Sequence, residues 1–244
     1  MIVMDTSYPT CERCGAHISG HMLGWFSHEA LCLLCYSDEK RHPEYMLAYY
    51  RWRNAHHYGD LDFPGLGVPP ELRAAGAFRR AIREAAAQPE SFIRNTTPFR
   101  TAEVATLVLW VSGQLGIALP DTPVIVRAQR SDARRGPASG NYRLDGTITI
   151  RLGVGSAFPY RYHNHGLQSC KPFAMETWQE AVVYMVAHEL THKRQHACNT
   201  ELSSQRFDEV DADQAGQAVL AIYRVVAPLI DETGREGLHT KAAL

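Results

Sequence analysis

The stretch Thr177-Trp-Gln-Glu180-Ala-Val-Val-Tyr184-Met-Val-Ala-His188-Glu-Leu-Thr-His192-Lys-Arg-Gln-His196 decides how the rest of the chain is read. Thr177 and Glu180 have the spacing of a capping box, in which a hydroxyl and a carboxylate satisfy the free backbone amides of a first helical turn. The spacing predicts a helix from Trp178 to about His196. Val182, Val183, Val186 and Leu190 supply its apolar surface, while Tyr184, His188, His192 and Gln195 fall along another stripe. Four residues apart on a helix, His188 and His192 share one face, and Glu189 sits beside them. Two imidazoles and a carboxylate are thus presented together by secondary structure alone, as a zinc ion with an activated water requires.

Downstream, seventeen residues beyond His192, the chain reads Glu209-Val-Asp-Ala-Asp213. These residues belong to a last long helix that carries Val219, Leu220, Ile222 and Val225 and is expected to stop around Pro228. A catalytic zinc takes three protein ligands and keeps one position open. Glu209 offers the third ligand from a separate helix, and Asp213, one turn on, can accept the free N–H of a ligand imidazole. Glu201, Asp208 and Asp211 are competing carboxylates, but only Glu209 has a partner at the offset of Asp213. His196 reads as a surface residue or a charge at a helix C-terminus.

Upstream, Glu71–Gln88 reads as a helix stopped by Pro89, and Thr101–Leu115 as a second helix capped by Gly116. Val124, Val126 and Ala128 alternate as in a strand. Asp145-Gly146 is a hairpin turn between Asn141–Leu144 and Thr147–Leu152. The expectation is an α+β fold: a small, mostly antiparallel sheet packed with the motif helix and the glutamate-bearing helix. Residues 43–70, rich in aromatics, histidine, proline and glycine, read as a connector. The organisation expected is therefore a finger at 1–42, a linker and helical segment at 43–97, and the motif-bearing domain at 98–244.

Cys11, Cys14, Cys32 and Cys35 follow the spacing Cys-x2-Cys-x17-Cys-x2-Cys, which lets two thiolate pairs close a tetrahedral zinc site. Cys14-Gly15 suits a tight knuckle, Trp25 and Phe26 are placed to pack on the site, and Leu31–Tyr36 begins a helix. This arrangement resembles treble-clef zinc fingers. Residues 1–42 carry three basic against five acidic side chains, a net of −2, which disfavours direct nucleic-acid binding and points to a structural role or a protein partner docked on the finger. No apolar run approaches the roughly 20 residues of a membrane span, and Met1-Ile-Val-Met-Asp-Thr lacks the features of a signal peptide. A cytoplasmic location is expected, and in a reducing compartment the Cys-x-x-Cys pairs read as metal ligands.

His188-Glu-x-x-His192 followed by Glu209-x-x-Ala-Asp213 resembles the gluzincin metallopeptidases, in particular the compact minigluzincin forms, over about residues 98–230. The resemblance implies a zincin-like fold in which His188, His192 and Glu209 bind zinc, Glu189 is general base and then proton shuttle, and Asp213 braces His188. It also implies that Thr147–Leu152 is the sheet edge along which an extended peptide pairs. Zincins that use a third histidine place it ten residues after the first, where this chain has Cys198.

The expected activity is endopeptidase hydrolysis of a peptide or protein substrate, with two zinc ions, one catalytic and one structural, and a zinc-bound water as nucleophile. Candidate donors for the tetrahedral oxyanion lie in Tyr160-Arg-Tyr162-His163-Asn-His165, with Tyr162 and His165 foremost. The alternative is a non-catalytic adaptor, a zinc finger joined to a peptidase-like fold that binds protein or nucleic acid. The presence of Glu189, which an adaptor would be free to lose, favours the enzyme. Six arginines between Arg127 and Arg151 face only Asp132 and Asp145, a basic stretch suited to acidic or nucleic-acid-bound targets or to a solvated surface.

Overall fold

The computed structural model describes residues 2–3, 10–18, 21–60, 62–121, 123–130, 138–143, 145–154, 158–162, 173–198 and 205–238. Two compact units share the chain: residues 1–80 with 225–244, and residues 81–224.

In the first unit, β1 (Ile2–Val3), β2 (His21–Leu23) and β3 (Ala30–Leu31) form an antiparallel sheet, followed by α1 (Leu33–Arg41), α2 (Tyr45–His57) and the start of α3 (Pro70–Ala87). Gly15 takes the left-handed conformation at φ 71°, and its amide donates to the Cys11 carbonyl at 2.6 Å, closing the knuckle that brings Cys14 back beside Cys11. Cys32 caps α1 and Cys35 lies in its first turn. The four cysteines pack with Leu31, Ala16, Ile18 and Tyr36.

Two expectations are corrected here. Residues 43–70 are not merely a connector, because Tyr45, Tyr49, Trp52 and His56 recur at helical spacing and form one stripe of α2. Nor do Trp25 and Phe26 pack on the cysteines. Phe26 is buried with Ala48, Val68 and Leu72, while Trp25 packs on Tyr49 and Trp52 at ring separations of 5.4 and 4.6 Å and donates its indole N–H to the Tyr45 hydroxyl at 2.8 Å. The segment after the finger thus supplies a second small core, which the thiolate knuckle is too short to build.

In the second unit, β4 (Ile93–Asn95), α4 (Thr101–Leu115), β5 (Val124–Arg130), β6 (Ala138–Tyr142), β7 (Ile148–Val154), β8 (Tyr160–Tyr162), β9 (Phe173–Met175) and α5 (Trp178–Cys198) lead into α6 (Gln205–Leu238). Helix α4 ends on Gly116 at φ 63°, as its sequence predicts. The main sheet has the order β4-β5-β7-β6 and is mixed, with two of its three strand pairs parallel. The α+β class expected is found, with antiparallel pairing in β1–β3 and β8–β9 and between β6 and β7, while β4–β5 and β5–β7 of the main sheet are parallel where antiparallel pairing was expected. A helix, α4, joins β4 to β5, and such a crossover returns the chain in the same direction.

The hairpin at Asp145-Gly146 forms, with Tyr142 opposite Ile148 and Gly140 opposite Ile150. It folds β6 onto the outer side of β7, whose other side is taken by β5. Thr147–Leu152 is therefore internal, and among the described strands the terminal one on this side is Ala138–Tyr142, which corrects the expected edge. Val124, Val126, Ile148, Ile150 and Leu152 are buried with Val104, Leu107, Val108 and Val111 of α4 and Val182, Val183, Val186 and Leu190 of α5. Every residue of α5 from Glu180 to Thr191 is buried, so this helix is the centre of the unit.

Helix α6 continues through Pro228 instead of ending there. Proline forfeits one backbone hydrogen bond, to the carbonyl four residues before it, and its φ is already helical, so a long helix can carry it. None of the described helices is long and apolar enough to cross a membrane.

Candidate metal centres

Among the described residues, two groups of side chains could hold a metal ion: Cys11, Cys14, Cys32 and Cys35, and His188, His192 and Glu209. In each, one ligand atom per residue lies within 4.8 Å of all the others.

The histidine group is assembled by two helices. At the start of α5 the Thr177 hydroxyl accepts from the Glu180 amide at 3.2 Å, and the Glu180 carboxylate accepts from the Glu176 amide at 2.7 Å. The same carboxylate receives Arg224 of α6 at 3.0 and 2.7 Å, which ties α6 to α5. Gly216 deepens that approach, since a Cβ there would lie 2.6 Å from the Tyr184 ring. Two helices fastened in this way bring Glu209 over His188 and His192. The two Nε2 atoms are 3.1 Å apart, and the Glu209 oxygens lie 3.3 Å from His188 Nε2 and 3.5 Å from His192 Nε2.

The opposite ring nitrogens are engaged. His188 Nδ1 is 3.1 Å from Asp213 Oδ1, and His192 Nδ1 donates to Gln195 Oε1 at 2.8 Å. In the tautomer that carries its proton on Nδ1 in both rings, two Nε2 lone pairs face each other across 3.1 Å, an arrangement that calls for a cation between them. Without a metal the protein meets that need with a proton. Burial opposes a charge on His188, but Asp213 and Glu209 outweigh it and raise its pKa to about 9. His192 is raised as well, against the same opposition from burial, and hydrogen bonding to His188 and His192 holds the Glu209 carboxyl well below its usual range.

Glu189 is 4% exposed and lies against β6. Burial raises its pKa, opposed by His188 and His192 and by a hydrogen bond from the Tyr142 backbone amide. Gly140 is the reason the strand fits, because a Cβ there would lie 2.1 Å from Glu189 Oε1. A carboxylate whose proton affinity is raised by burial, beside a candidate metal group and a sheet edge, has the chemistry of a general base.

In the cysteine group, Cys14 Sγ and Cys32 Sγ are 3.7 Å apart. Against the opposing effect of Cys14, contacts with Cys32 and Cys35 bring the Cys11 thiol down to about 6. Cys14 is also lowered, whereas Cys32 and Cys35 are raised by the thiols around them. Four sulfurs this close cannot all ionise without a cation. Arg13 within the knuckle is ion-paired with Glu29 at 2.6 Å and Glu39 at 3.4 Å, and Arg79 is ion-paired with Asp38, so the buried charges around the cluster are matched.

Of the other residues singled out in the sequence, Tyr162 stands beside the histidine group. Its ring is 5.1 Å from that of Tyr184. Burial, then the nearby Asp213 charge, pushes its pKa up to about 12. His165 lies outside the described residues. Asp211 is exposed on α6, and the exposed His196 packs its ring 5.3 Å from that of Tyr142. Gly140 and Tyr142 were not singled out for the site, and no local pattern marks them, because their role depends on the sheet order. Comparison of the chain with protein-family models, with curated proteins and with solved structures finds no match.

Proposed function

We propose that His188, His192 and Glu209 bind a catalytic zinc ion and that the protein is a zinc-dependent endopeptidase of gluzincin type, with Glu189 as its general base. One observation carries this reading: two imidazole Nε2 atoms and a carboxylate converge beside a buried glutamate that touches the terminal strand of a sheet. The spacing suits zinc. Ligands about 2.0–2.1 Å from a tetrahedral zinc stand roughly 3.3–3.4 Å from one another, against 3.1, 3.3 and 3.5 Å here. Thiolates at about 2.3 Å stand roughly 3.8 Å apart, against 3.7 Å for Cys14 and Cys32. The cysteine group accordingly serves as a structural zinc site in a treble-clef-like finger.

Zinc supplies Lewis acidity, polarising a substrate carbonyl and acidifying a water. The protein's own residues do the rest. Glu189, its proton affinity raised by burial, takes the proton of the attacking water and passes it to the leaving amine. Asp213 and Gln195 hold the two imidazoles in the tautomer that leaves Nε2 free. Ala138–Tyr142, the terminal strand, offers backbone groups for an extended peptide to pair with, and Gly140 and Tyr142 set that peptide beside Glu189.

The test combines metal analysis with cleavage of an unfolded protein mixture read by mass spectrometry. Two zinc ions per chain and new peptide termini that vanish in Glu189→Ala support the reading. Undiminished cleavage by Glu189→Ala, or a wild-type chain that takes up two zinc ions and cleaves nothing, sinks the peptidase.

A further inference from the structure

We infer that Tyr184 is a positioning residue for the His188–His192–Glu209 site, its hydroxyl holding Asp213 and, through it, the His188 ring. It rests on the metal binding proposed above and adds to it a group that touches neither metal nor substrate.

Asp213 is 1% exposed and Tyr184 is fully buried. A carboxylate and a phenol in such surroundings are costly unless their polar atoms are satisfied. Here each serves the other: the Tyr184 hydroxyl donates to Asp213 Oδ1 at 2.5 Å, and that same oxygen lies 3.1 Å from His188 Nδ1. The Tyr184 hydroxyl fixes the orientation of that carboxylate, and the charge of Asp213 is thereby held against the His188 ring. The position of His188 Nδ1, and with it the direction of Nε2 toward Glu209, follows. The Tyr184 ring is held in place by those of Phe173 and Tyr162, at centroid separations of 4.7 and 5.1 Å.

The sequence spacing makes this arrangement specific. Tyr184 precedes His188 by one helical turn and so shares its face of α5. Opposite it, α6 presents Gly216, where a Cβ would lie 2.6 and 2.7 Å from two carbons of the Tyr184 ring. Asp213 lies three residues before that glycine on the same helix. A phenylalanine at 184 would fill the same space without burying a hydroxyl, so packing alone gives no reason for tyrosine. The hydroxyl's reason is Asp213. Groups that orient metal-binding histidines in this way are worth roughly 10–100-fold in metal affinity.

The test uses the full chain and the metal alone. Zinc affinity is measured by chelator competition, and the site is read by its cobalt(II) ligand-field spectrum with zinc retained in the cysteine group. Tyr184→Phe is expected to keep the circular dichroism and melting of the metal-free wild type, to bind the second zinc roughly 10-fold more weakly or worse, and to shift the cobalt bands. Gly216→Ala, whose Cβ would press on the Tyr184 ring, is expected to move both readouts in the same direction. Wild-type affinity and spectrum in Tyr184→Phe overturn the inference. Should that variant fail to fold, Gly216→Ala decides, and an unchanged affinity there overturns it. A wild-type chain that takes up one zinc ion overturns the metal reading itself, a result distinct from two ions held equally well with and without the hydroxyl.

Discussion

Gly140 of the terminal strand lies so close to Glu189 of α5 that a Cβ at 140 would stand 2.1 Å from the carboxylate oxygen and 2.7 Å from the carbon that bears it. Glu189 can therefore hold this position against the strand only because position 140 has no side chain. On the peptidase reading proposed above, one contact sets both the substrate edge and the general base.

Gly140→Ala is expected to push Glu189 off its position while leaving His188, His192 and Glu209 in place. Metal content should stay at the wild-type value, and the hydrolysis rate should fall about 10²-fold, the scale on which a displaced reacting group is felt. A rate within twofold of wild type would show that Glu189 finds its place without the glycine.

Glu189→Gln removes the base and keeps the shape. Loss of a positioned general base costs about 10²–10⁴-fold, and because Glu189 is not among the metal-binding residues, zinc content should be unchanged. His188→Ala, by contrast, should lose one zinc ion per chain. Mass spectrometry under native conditions distinguishes the two outcomes.

Metal binding at the histidine group should release protons. In the metal-free protein His188 titrates at about 9, raised from 6.5 by Asp213 and Glu209 against the effect of burial, so at neutral pH a metal must displace that proton. Zinc affinity is expected to rise with pH throughout the range below about 9 and then to level off. The folding linkage has the opposite sense. Protonated His188 stabilises the metal-free fold fully below 6.5, and that contribution is lost as pH rises through 9. Calorimetric titration in buffers of different ionisation enthalpy measures the first effect, and melting of the metal-free protein against pH measures the second.

Cys35→Ala should take apart the first unit. Cys35 is fully buried with Cys11, Cys14 and Leu31, and a structural zinc contributes its binding free energy directly to folding. Amide hydrogen exchange should show protection lost in residues 10–41. A protein that retains full protection there after Cys35→Ala or chelation would remove the cysteine group from the folding of this segment.

Much of this was already legible in the chain. The bounds of α4, the hairpin at Asp145-Gly146 and the capped start of α5 follow from local rules, in which a few neighbouring residues satisfy one another's backbone groups. Helix α2 had its own signal, aromatics at helical spacing from Tyr45 to His56, but proline and glycine further along obscured it. Pro228 misled for a related reason, since a residue that usually ends helices stops one only where no longer helix carries it through.

By itself, the sequence determined which side chains can act together within one helix or one knuckle: His188, Glu189 and His192 on α5, and each Cys-x-x-Cys pair. Periodicity and turn chemistry are local, and they are written in consecutive residues. Only the tertiary structure decided that Ala138–Tyr142, rather than Thr147–Leu152, is the terminal strand, that Gly140 must be bare beside Glu189, and that the Tyr184 hydroxyl reaches Asp213. Strand order and helix approach depend on contacts between segments distant in the chain, which no local pattern encodes.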